Sequence, residues 1–132
     1  MTGWVRRSAI AITAAALLSA GAAEACRCVR QSPAKTYRQA HAVLLATIRS
    51  SREVSAYDRT YRIEVERSWK RPLKTLVAVN STRSSCLAEL EPGKTYLLYV
   101  VRDPSGTMRT SSCDAIPEAD ARTALAWLER RR

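Results

Sequence analysis

The sequence predicts a mainly β fold: a small closed or partly open barrel of five short strands, with a short helix early and an amphipathic helix at the end. Three observations carry this expectation. Runs rich in β-branched and aromatic residues recur at short intervals between turn residues, the spacing of an all-β domain. Residues 26–132 are enough for one small domain, and the chain contains no Phe, so its core must be aliphatic with a few Tyr and Trp. All four cysteines, Cys26, Cys28, Cys86 and Cys113, fall in that part.

Residues 1–25 read as an export signal. They have a basic start at Arg6 and Arg7, an apolar run from Ala9 to Leu18 and a small-residue finish in which Ala23 and Ala25 suit cleavage ahead of Cys26. The uncharged run is short and Ala-rich for a spanning helix, which needs about 20 apolar residues. The expectation is a secreted or periplasmic mature chain with no transmembrane segment once the signal is removed.

Ser32-Pro33 is a helix start, because Ser caps free amides and Pro loses nothing at the first helical position; the helix should run from about Pro33 to Ala40. Val43 to Ile48 has the composition of a strand buried on both faces and central to the sheet. Arg49 to Asp58 is polar and reads as a connecting loop. Tyr61, Ile63 and Val65 then alternate with Arg62, Glu64 and Glu66, the period of a half-exposed strand. Trp69 could close one end of the barrel, and Pro72 stops pairing. Leu76, Val77 and Val79 form the next strand, Ser81 to Ser85 a polar loop that delivers Cys86. The Pro92-Gly93 turn introduces the most strand-like run, Thr95 to Val101. A turn at Pro104-Ser105-Gly106 leads to a short strand ending near Ser111. Pro117 opens a helix on which Ala121, Leu125 and Leu128 share a face, with Ala124 and Trp127 beside it.

An even cysteine count in an exported small domain implies two disulfides. A Cys26 to Cys28 bridge would close a strained ring, so each should reach a distant partner. Zinc binding is disfavoured, because paired CxxC knuckles are absent. Taking Arg6, Arg7 and Glu24 away from 22 basic and 12 acidic residues leaves 20 and 11, a formal net charge of +9 on residues 26–132. Arg59, Arg62, Arg67, Lys70, Arg71 and Lys74 are the densest basic group, suited to an acidic glycan, a lipid headgroup or another acidic envelope component. Nucleic acid is the weakest of the binding partners, since stacking needs exposed aromatics and export removes the usual substrate. Nothing points to an enzyme or to a cofactor: His41 is the one histidine, the thiols are committed to bridges, and no nucleophile, base and orienting group occur together.

Cys26-x-Cys28, the approach Ala40-His41-Ala42-Val43-Leu44, then Val65-Glu66-Arg67-Ser68-Trp69-Lys70, Cys86, Gly93-Lys94-Thr95-Tyr96-Leu97-Leu98-Tyr99 and Cys113 together resemble the tissue inhibitor of metalloproteinases family in its netrin-like, bacterial form. The resemblance implies an OB-like five-stranded barrel over residues 26–132, with Cys26 bridged to Cys86 and Cys28 to Cys113. It also implies a secreted inhibitor of zinc metalloproteinases, in which the Cys26 amine and carbonyl chelate the zinc of the target and the chain holds no metal of its own. Arg27, Cys28 and Val29 would contact the protease beside Cys26, and Ser84 and Ser85 would form a second contact edge. The chain departs from the family at Arg27, where the residue entering the specificity pocket is normally small, and it lacks the C-terminal half of the animal inhibitors. The alternative is an extracellular or envelope binding module that uses the basic face.

Overall fold

Helix α1 spans Pro33–Gln39 in the computed structural model, which describes residues 27–29, 31–81 and 86–132. The export signal, Cys26, Ser84 and Ser85 lie outside the described residues. Ser32 caps α1 as its spacing predicts, its hydroxyl accepting from the Lys35 N–H at 3.3 Å, and Pro33 occupies the first turn.

Six strands follow among the described residues: β1 (Ala42–Ser55), β2 (Asp58–Lys70), β3 (Leu76–Ser81), β4 (Thr95–Arg102), β5 (Met108–Thr110) and β6 (Ala115–Pro117). A single 3-10 turn, Glu118–Asp120, precedes the C-terminal helix α2 (Arg122–Glu129). The sheet runs β1-β2-β3-β5-β4 and closes through a β1–β4 pairing, while β6 extends the other edge of β4. Every pairing is antiparallel except β3–β5. This is a closed five-stranded OB-like barrel, the architecture the sequence implied.

Alternation along the strands builds two cores. Ala42, Leu44, Ala46 and Ile48 of β1 point inward with Tyr61, Ile63, Val79, Leu98 and Val100. Val43, Leu97 and Tyr99 point outward and are covered by Ala121 and Leu128, with Tyr37, Trp69, Leu125 and Trp127 packed around them. The double-sided burial expected of Val43 to Ile48 thus has a cause on each face. At about 25 cal/mol per Å² of apolar surface, each fully buried Leu or Val contributes about 1.5–3 kcal/mol.

Two expectations are corrected. Arg49 to Asp58 is not a loop: β1 continues to Ser55, turns at Ala56-Tyr57 and returns as β2, with Ser55 paired to Asp58. Polar composition had reported solvent exposure, whereas the backbone remains paired. Pro117 does not open α2 either; it pairs with Tyr96 at the end of β6, and the helix begins five residues later. Proline is tolerated there because a strand end does not need its missing N–H. The shared helix face of Ala121, Leu125 and Leu128 is as expected.

Candidate functional site

The described chain begins on the outside of the barrel. Arg27, Cys28 and Val29 are exposed, Val29 at 81%, yet Cys28 is pinned by a disulfide to Cys113, with Cα atoms 5.3 Å apart. That bridge joins positions 85 residues apart, and a closed loop of this length restrains the unfolded chain by about 4–5 kcal/mol. Cys86 is disulfide-bonded as well; Cys26, the partner that the resemblance implies, lies outside the described residues.

The two cysteine positions are neighbours in space. The Ser112 N–H donates to the Cys86 carbonyl at 2.8 Å, so the connection that follows β3 ends one residue from Cys113. Arg27 to Val29 and the end of the 82–86 connection therefore meet at one edge, although almost sixty positions separate them in sequence.

A cleft of about 530 Å³ opens between the Arg27–Val29 segment, α1 and the outer face of β4, with Tyr99, Val101, Asp114 and Ile116 along its wall. Asp114 accepts a hydrogen bond from the Ser111 hydroxyl at 3.0 Å. Burial nevertheless holds its carboxyl above the ordinary range, the Ser111 bond acting in the opposite direction. Burial, followed by the nearby Asp114 charge, also raises the Tyr99 phenol. Nothing in the sequence marks Asp114, because its position depends on the β6 pairing.

The six cations grouped by sequence are spread along β2 and the turn after it. Arg59 and Lys70 are eleven residues apart on one strand, about 36 Å at 3.3 Å per residue. Arg59 binds Glu53 at 2.9 Å and approaches Glu89 at 3.8 Å. Hydrogen bonding to Tyr61 and Glu53 raises its pKa further. Arg67 reaches Glu129 of α2 at 2.8 Å, tying helix to barrel. Arg62 lines a shallow groove with Arg52, Leu76 and Ala78. Lys70 is turned toward α1, and Arg71 and Lys74 are exposed beyond it.

No protein-family model and no curated protein matches this chain. Among the described residues no cluster of three or more His, Cys, Asp or Glu could hold a metal ion. No described helix is long and apolar enough to cross a membrane. Chemically, the edge offers an exposed, covalently fixed main chain flanked by Arg27 and Val29.

Proposed function

We propose that the chain is an inhibitor of zinc metalloproteinases that inserts its Cys26 end into the active site of the target. The supporting observation is the shared edge, where the exposed Arg27–Val29 segment and the end of the 82–86 connection are brought together beside the Cys28–Cys113 bridge. A catalytic zinc has three protein ligands and one open position. A terminal amine and its own carbonyl oxygen form a five-membered chelate there and displace the water that attacks substrate. The amine of a mature Cys26 has a reference pKa of about 7.7–8.0, so losing its proton to the metal near neutral pH is inexpensive. A segment already fixed by the Cys28–Cys113 disulfide loses little further freedom on binding. Arg27, the first side chain past the chelating residue, selects a target whose pocket accepts a long cation and supplies a carboxylate.

The experiment compares the protein beginning at Cys26 with the same protein carrying one extra alanine ahead of it, against a panel of zinc metalloproteinases that includes enzymes with acidic pockets. Inhibition by the first and none by the second is the expected result. Equal inhibition by both forms eliminates amine chelation, and inhibition by neither eliminates the reading. Arg27→Ser should weaken inhibition of an acidic-pocket enzyme by roughly tenfold or more, the loss of one charge-assisted hydrogen-bonded pair.

A further inference from the structure

β1 starts between the ends of two neighbours. Ala42 pairs with Val100, while Val43 pairs with Tyr99 on one side and Lys70 on the other. The barrel rim at that end therefore gathers His41 from the start of β1, Lys70 and Arg71 from the end of β2, and Arg102 from the end of β4. Strands lie about 4.8 Å apart, so three adjacent strand ends span about 10 Å.

One of these cations is held by backbone. Lys70 Nζ donates to the carbonyls of Tyr37 at 2.8 Å and Arg38 at 3.1 Å, and lies 5.2 Å from the centre of the Tyr37 ring. The Arg102 guanidinium lies across Gly106, where an added Cβ would stand 3.3 Å from Nη2. Arg71 has φ of 56°, a conformation glycine would adopt at lower cost. No carboxylate ion-pairs with Lys70, Arg71 or Arg102 among the described residues, in contrast to Arg49, Arg59, Arg67, Lys94 and Arg109. The ring of His41 registers the crowding: its pKa is lowered by burial first and then by Arg71, Arg102 and Lys70. Like charges collected together with no carboxylate paired to them among the described residues are unfavourable in the free protein, and a bound oxyanion reverses the sign.

We propose that this rim binds sulfate or phosphate ester groups carried on an acidic polysaccharide. Guanidinium forks match the oxygens of such esters in paired hydrogen bonds, and Lys70 retains a third N–H to complete the site. Nucleic acid fits less well, because the nearby rings are occupied: Tyr37 and Trp127 meet edge to face at 5.8 Å, and Arg131 lies 5.4 and 4.7 Å from them. A membrane surface fits less well too, since among the described residues the large exposed apolar side chains nearest this rim are two valines, Val101 beside Arg102 and Val29 lining the same cleft as Val101. This site is independent of the inhibitor reading. It also differs from the grouping suggested by sequence, taking only Lys70 and Arg71 from it and adding His41 and Arg102.

The test uses a dextran sulfate oligosaccharide, with neutral dextran as the blank, titrated into the folded protein at 0.15 M salt (about an 8 Å screening length). The double variant Arg71→Gly with Arg102→Gln should bind roughly tenfold or more weakly. Arg52→Gln with Arg62→Gln removes the same charge from the groove further along the β1–β2 hairpin and should bind within about twofold of the parent. Equal losses in the two doubles, or none in the first, overturn the rim assignment. Because His41 is the one histidine in the chain, its ring resonances give a readout on the unmodified protein: the midpoint of its titration should rise when the oligosaccharide is bound. An unmoved midpoint at saturation overturns the proposal even if the rim variant fails to fold. Binding to phosphatidylglycerol vesicles without binding to dextran sulfate overturns the polysaccharide as the source of the ester.

Discussion

The two halves of β1 lie on one continuous ladder and have opposite surroundings. Ala42 to Ile48 are buried without exception, and Arg49 to Ser55 are exposed without exception, although β2 pairs with both halves. The difference arises on the other edge. Ala42 to Thr47 also pair with β4 and support the helices, whereas among the described residues no second strand flanks the outer half. There, the side chains hold one another through ion pairs, Arg59 with Glu53 at 2.9 Å and Arg49 with Glu64. Exposed pairs of this kind contribute about 0–1 kcal/mol each. Backbone pairing and side-chain burial are thus separable properties of a strand, and stability follows the second.

The largest test of that separation compares one substitution in each half. Leu44→Ala removes a fully buried side chain from the barrel interior and should cost about 3–5 kcal/mol in chemical denaturation, enough to unfold a marginal domain. Arg52→Ala, eight positions along the same strand, should stay within about 0.5 kcal/mol of the parent. Comparable losses would mean that the outer half is integral to the barrel after all.

The same contrast explains what could be read from sequence. The inner half is legible because Val43 to Ile48 is a short, almost wholly apolar run rich in β-forming residues. The outer half is not, because Arg49-Ser50-Ser51-Arg52-Glu53 carries no apolar period and its pairing depends on the returning strand. Pro117 misleads for a related reason, since its pairing with Tyr96 is set by residues twenty positions away. At the candidate site, the Cys28–Cys113 pairing followed from a family resemblance. The cationic rim was not legible. His41 and Arg102 become neighbours only through the β1–β4 closure, and a count of charges along the chain favours β2 instead.

Tyr61 gives a smaller, sharper test. It is paired with Ser51 of the outer half, yet its own side chain is fully buried. The cover there is the segment before β4: the Tyr61 hydroxyl donates to the Ala88 carbonyl at 2.5 Å and accepts from the Leu90 N–H at 3.1 Å. Tyr61→Phe keeps the ring and strands both backbone groups, so a loss of about 1–3 kcal/mol is expected. Arg67→Ala should cost less than about 1 kcal/mol, because its bond to Glu129 is solvent-exposed on both sides. A Tyr61→Phe loss no greater than that of Arg67→Ala would show that the 88–90 segment does not seal this part of the barrel.

The smallest effect belongs to His41, where the buried half of β1 begins. Burial and the charges of Arg71, Arg102 and Lys70 lower its pKa, so the unfolded chain takes up a proton at higher pH than the folded one. Above the unfolded value of about 6.5 both states are neutral and the stability is fully present. As pH falls through that value and then through the lower folded one, stability declines, and the loss is complete once both states are protonated. Asp114 works in the opposite direction, because its raised pKa makes stability increase as acid is added. The measurement is therefore a difference: denaturation midpoints of the parent and of His41→Gln between pH 7.5 and 5. The parent should lose more stability than the variant over that interval, and the gap should shrink when the rim charges are reduced by Arg71→Gly with Arg102→Gln. A gap left unchanged by this double substitution would assign the shift to burial and Lys70, with no part for Arg71 or Arg102.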